Sequence, residues 1–211
     1  MAPRKKVGKD AILDAAEELF SQLGYHGVSL RDITRLAQFE LGLASYHFGT
    51  KEELFRQVVE RRADEWRAAE IGALDEIRQS REGRPPNVED ILRAYIRVRF
   101  DLMFARGVKW ARYGRISHHF LALEDRGRFI GRYRDIAQDV CVRYVDALCE
   151  TLPSVSREKI AVSFDFLRLT LTSVSGDTTS IVLSSSTKKA RETAIGTLVE
   201  IYSAGMRNLQ G

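Results

Sequence analysis

Residues 29–51, SLRDITRLAQFELGLASYHFGTK, carry two helix-start signals so close together that little except a pair of short helices fits between them. Ser29 with Asp32 forms an S-x-x-D cap, and Thr50 with Glu53 a T-x-x-E capping box. Asp32 also sets negative charge at the positive end of its helix. After Ser29, Leu30, Ile33, Leu36 and Ala37 recur at helical spacing, so one buried face is expected, with Arg31 and Arg35 turned outward. Gln38, Phe39 and Glu40 interrupt the pattern. The apolar segment that follows, from Leu41 to Phe48, is too short to be a stable helix alone and must be held by its neighbours. A short helix pinned on both sides is a presented helix.

The remainder of the chain reads as helix after helix, with no period-two alternation, so the class is all-α. The first helix is expected from about Gly8 to Leu23, with Ile12, Ala15, Ala16, Leu19, Phe20 and Leu23 as its core face and Gly24 just past its end. One long helix is expected from Thr50 through Trp66 and Ile77 to the breakers Gly83, Arg84, Pro85 and Pro86. Asn87 with Asp90 caps the next, and Gly107 divides it from a segment holding Trp110, Tyr113 and Phe120. Further helices follow from about Asp125 to Thr151, after the cap Ser156, and from about Thr187 to Asn208. The expected organisation is a helix-turn-helix head over residues 1–50 and a helical body over 51–211.

Composition excludes more than it identifies. With 211 residues, 44% of them hydrophobic, the chain can bury a real core. No apolar run approaches twenty residues and no leader pattern opens the chain, so no membrane partner and a cytoplasmic location are expected. Cys141 and Cys149 stand a rise of about 12 Å apart on one expected helix and read as reduced, structural thiols. His26, His118 and His119 lack ligand spacing, so no metal site is expected. There is no phosphate loop, cofactor motif or Ser/His/Asp array, which argues against an enzyme. Net charge is +4, and Arg4, Lys5, Lys6 and Lys9 all precede the first acid, Asp10. Two readings of that start stay open: a flexible basic arm lying along phosphates, or a solvated tail.

Leu19, Phe20, Gly24, Tyr25, Ser29, Ile33, Ala37, Gly42, Tyr46, His47, Phe48, Gly49, Lys51, Glu52 and Leu54 fall in an order that resembles the tetracycline-repressor (TetR) family of bacterial transcriptional regulators. The resemblance implies a recognition helix in the major groove of an operator duplex. It puts Tyr46 and Lys51 on phosphates, Arg31 on a base and Leu43 and His47 in the groove, with Ser29 and Gly42 also in the DNA-binding set. Phe39 and Phe48 are expected to pack. Four positions depart from the family pattern: Gln38 where the turn usually has Gly, Glu40 and Leu41 for Ser and Lys, and Ser45 for Tyr. A left-handed Gln38 costs roughly 1 kcal/mol.

For the body, the resemblance implies a homodimer through the last two helices and a pocket for a small-molecule effector. Small residues such as Ser163, Thr170, Thr172, Ser173 and Gly176 suit close helix approach, or back-bond within an intramolecular bundle. Trp66, Tyr95, Phe104, Trp110, Tyr113 and Phe120 have the spacing of helical core and are the pocket candidates. From Arg97 to Arg134 ten Lys or Arg face three acids, a surplus that reads as a solvated basic face or as a site for an anionic effector. The expected function is a dimeric repressor. Its alternatives are a same-fold architectural or protein-regulated DNA binder without an effector, and a helical enzyme.

Overall fold

The computed structural model describes residues 3–80, 85–121, 123, 131–176 and 187–209, which hold ten α-helices and no strand. In chain order they are α1 Pro3–Leu23, α2 Leu30–Ala37, α3 Leu41–Phe48, α4 Lys51–Glu60 and α5 Ala63–Ser80. The body continues with α6 Val88–Phe104, α7 Val108–Leu121, α8 Gly131–Thr151, α9 Arg157–Gly176 and α10 Lys188–Arg207. Gly83, Arg84 and residues 124–130, all used in the sequence reading, lie outside the described residues.

The local start signals act as expected where nothing competes for the side chains. Ser29 and Asp32 form a full capping box on α2, as do Asn87 and Asp90 on α6. Thr50 accepts from the Glu53 N–H, but the Glu53 carboxylate turns to Arg56 and Gln57 instead of completing the box. Gly24 and Gly107 take the positive φ that ends a helix there.

Two cores result. The head core joins Ile12, Ala16 and Phe20 of α1 to Ile33 of α2, Ala44 and Phe48 of α3, and Leu54, Phe55 and Val58 of α4. Ile116 and Phe120 of α7 and Leu123 complete it from the body side. The body core is centred on Tyr95 of α6, Tyr144 of α8 and Phe164 of α9, whose ring centroids are 4.8–5.6 Å apart.

Three expectations are corrected. The first helix begins at Pro3, so the chain from residue 3 to Lys9 is helix and not a free arm; proline suits a first turn because its missing N–H would have no partner there. The long helix expected from Thr50 is two helices, broken at Arg61 and Arg62 without a glycine or proline. At the break Arg61 reaches Asp14 at 2.6 Å, while Arg62 lies 3.3 Å from Glu17, buried in α1, and 5.7 Å from the Trp110 ring. Leu23 and Leu36, assigned to core faces, are exposed. Among the small residues of α9, Ser163, Thr170 and Thr172 back-bond to carbonyls four residues earlier, and Thr170 also meets the Tyr202 hydroxyl of α10 at 2.8 Å.

Candidate functional site

The head presents α3. Ala44 and Phe48, one turn apart, are buried in the head core and fix the helix; Leu41, Gly42, Ser45 and Tyr46 are exposed on the opposite side. Leu43 and His47 sit half-buried at the edges. The Tyr46 side chain is 70% exposed, and a Cβ added at Gly42 would meet nothing within 4 Å. This is a surface with room for a second molecule.

The turn before α3 is held from two sides. Gln38 is left-handed, φ 58°, and its N–H and that of Phe39 close the end of α2 on the Arg35 and Thr34 carbonyls. The second bond spans six residues, the Schellman arrangement that normally takes glycine. Phe39 packs against the head core, its ring so close to α1 that a Cβ at Gly8 would come within 3.2 Å of it. Glu40 is the α3 N-cap residue but its carboxylate makes no capping bond, leaving an exposed acid at the start of the presented helix.

Arg31 is exposed at the start of α2. The Ser29 hydroxyl is engaged within its cap, accepting from the Asp32 N–H and lying 2.5 Å from its carboxylate, which is thereby held below the usual carboxylate range. Lys51 is tied inward. Its Nζ donates to the Tyr25 and Val28 carbonyls at 3.0 and 2.9 Å and stands 4.1 Å from the centre of the Tyr25 ring. Burial lowers its pKa. Two of its three N–H groups thus clamp the start of α4 to the segment before α2.

In the body, α5, α6, α7, α8 and α9 converge on a cavity of about 70 Å³. Of the six pocket candidates, Trp66, Tyr95 and Tyr113 line it. The other three candidates do not: Phe104 packs on Phe100, Trp110 stands behind Trp66 at 6.0 Å, and Phe120 belongs to the head core. The sequence reading missed the polar wall. Arg99 donates to Glu70 at 2.9 Å, to the Tyr95 hydroxyl at 3.1 Å and to Thr172 at 3.2 Å; Glu70 also accepts from the Trp66 indole. This ion pair is nearly sealed, the two side chains being 11% and 6% exposed. Arg67 and Arg168 line the cavity too. Elsewhere in the basic run, Arg97 pairs with Glu192 and Arg112 with Glu18, both distant in sequence.

Among the described residues, no helix is long and apolar enough to cross a membrane, and no group of three or more His, Cys, Asp and Glu is placed to hold a metal ion. Both cysteines are free, and burial pushes the Cys141 thiol up to about 11.

A two-helix motif that presents its second helix, fused to a helical body with an internal cavity, defines a DNA-binding regulator. Residues 12–58 match the model for bacterial regulatory proteins of the tetR family, and residues 93–205 match the model for the tetracyclin repressor-like C-terminal domain. The chain belongs to the TetR family of transcriptional regulators, DNA-binding proteins and not enzymes. It is 42% identical over 52 residues to the negative transcriptional regulator of the biofilm operon, IcaR, of Staphylococcus epidermidis. It is 38% identical over 58 residues to the regulator QacR of Staphylococcus aureus, and 42% over 60 residues to RutR of Escherichia coli. These matches take up 25–28% of this chain and 28–31% of those relatives' own lengths. Over its whole length the fold is similar to a tetR-family regulatory protein from Rhodococcus RHA1, TM-score 0.68 at 17% identity over 94% of this chain and 96% of that one. The fatty acid degradation regulator FadR of Bacillus halodurans gives 0.64 at 15% identity, covering 98% of both chains.

Proposed function

We propose that the chain is a homodimeric repressor that reads an inverted-repeat operator with α3 of each head and is released when a small molecule occupies the body cavity. The observation that carries this reading is the anchoring of α3 by Ala44 and Phe48 with Gly42, Ser45 and Tyr46 left outward. In this reading Tyr46 and the remaining N–H of Lys51 hold phosphates, and Arg31 reads a guanine edge. Leu43 and His47 make groove contacts, Gly42 lets the helix approach closely, and Ser29 keeps α2 capped. The head is residues 1–50 and the body 51–211, with α4 packed into the head core and α5, beyond the break, in the cavity wall.

Two exposed apolar stretches support the dimer. Val162, Phe166 and Leu169 lie on one face of α9, and Ile201 projects from the neighbouring α10; Phe166 is 60% and Ile201 59% exposed. Such a patch on a helix pair fits a second copy across a two-fold axis. Release by an effector requires that it bind the DNA-fitting and non-fitting arrangements unequally.

Selection from random duplex DNA with the purified protein, followed by sequencing of the bound pool, tests the reading. An enriched inverted repeat is expected. Enrichment of an unpaired motif would remove the two-headed reader, and an unenriched pool would remove sequence reading altogether.

A further inference from the structure

We infer that the body cavity takes a small organic carboxylate with a compact apolar body, which rests on the reading that this cavity is the effector site. The wall presents three guanidinium groups, Arg67, Arg99 and Arg168, against one carboxylate, Glu70. That carboxylate is already engaged by Arg99 and by the Trp66 indole N–H. Arg67 and Arg168 find their carboxylates, Asp139 and Asp165, on residues that do not line the cavity. Each guanidinium has five N–H donors, and one from Arg168 goes to Asp165. All three guanidinium groups are ion-paired, so what the wall offers an anion is hydrogen-bond donors, chiefly the Arg168 N–H groups not given to Asp165, and not an excess of charge.

The rest of the wall selects the body of the ligand. Trp66 and Tyr113, 5.2 Å apart between ring centroids, stand on one side; Ile136, Ala137 and Val140 of α8 form another. An inorganic anion would leave these faces without a use, whereas an aromatic or branched acid covers them. Three of the four wall hydroxyls are committed to backbone carbonyls, Ser117 to that of Tyr113, Thr172 to that of Arg168 and Tyr113 to that of Val59, while the fourth, on Tyr95, accepts from Arg99. Little is left to recognise further polar groups. Arg–carboxylate pairing fixes one end of the ligand, and its fork geometry prefers a planar carboxylate.

Three probes of one shape and different charge separate the possibilities: sodium benzoate, benzamide and benzylammonium chloride, titrated at constant ionic strength and neutral pH. Trp66 lies in the wall, so tryptophan fluorescence reports occupancy directly. Benzoate should quench it saturably and raise the melting temperature by about 4 °C at ten times its dissociation constant. Benzamide and benzylammonium should bind at least tenfold more weakly. Arg168→Gln should weaken benzoate about tenfold and leave benzamide unchanged; the comparison of probes on the unaltered protein stands even if that variant folds poorly. Equal or tighter binding of benzamide or benzylammonium would overturn the carboxylate assignment while leaving the cavity as a ligand site. The absence of saturable quenching by all three would overturn both.

Discussion

The Tyr113 hydroxyl donates to the Val59 carbonyl across 3.0 Å of buried interior. One residue is in the cavity wall and the other in the last turn of α4, whose side chain belongs to the head core. One residue beyond that turn, Arg61 and Arg62 pair with the acids of α1. The bond joins the cavity wall to the helix that the head core holds. Tyr113→Phe removes this donor from a buried carbonyl and should cost about 1–2 kcal/mol in urea unfolding. A cost within experimental scatter would mean that the bond does not fasten head to body.

Lys51 has two roles in this account, and a single variant separates them. Lys51→Ala removes the clamp on the Tyr25 and Val28 carbonyls, so the unfolding midpoint should fall. If each protomer also loses a phosphate contact, the slope of log affinity against log salt should shrink by about 2 for the dimer. Lower stability with an unchanged slope would leave Lys51 as a clamp alone.

Gln38 occupies a left-handed position that favours glycine. Gln38→Gly should stabilise the protein by about 1 kcal/mol, read from denaturant unfolding, and should leave the order of preferred DNA sequences unchanged. Loss of stability would show that the Gln38 side chain contributes more than its backbone strain costs.

His119 packs at the head–body junction, where a Cβ added at Gly24 would lie 3.5 Å from its ring. Burial, with His118 and Arg115 nearby, lowers its pKa against the opposing pull of a hydrogen bond to the Ser21 backbone. As pH falls below the ordinary histidine value, the unfolded chain takes up this proton before the folded one does, and stability drops. The urea midpoint should therefore decline between about pH 7 and pH 5.5, with a smaller decline in His119→Gln. Equal declines in both proteins would remove His119 as the source.

What the sequence discloses and what it hides divide along physical lines. Caps are local, so Ser29 with Asp32 and Asn87 with Asp90 are legible from four residues each. The break after α4 is not, because Arg61 keeps helical dihedrals (φ −55°, ψ −34°) and the partners of Arg61 and Arg62 lie in α1, more than forty residues earlier. Helical spacing marks Trp66, Tyr113 and Phe120 alike as inward-facing. It does not say which interior they face, and Phe120 faces the head core. The Arg99–Glu70 pair joins residues 29 apart on two helices and has no sequence signature at all. On α3 Phe48, expected to pack, is buried, while the exposure of Tyr46 is implied only by the family resemblance.

The claim that matters most is that two heads act together. Its most direct measurement is a titration of fluorescent duplexes bearing one or two selected half-sites with the unaltered protein and with Phe166→Glu, whose side chain is exposed in the single chain. Two protomers per paired site are expected, with binding about a hundredfold or more tighter than to a single half-site. Phe166→Glu should abolish that advantage while the fold is kept. Equal affinity for one and two half-sites, with one protomer bound and no effect of Phe166→Glu, would contradict the claim.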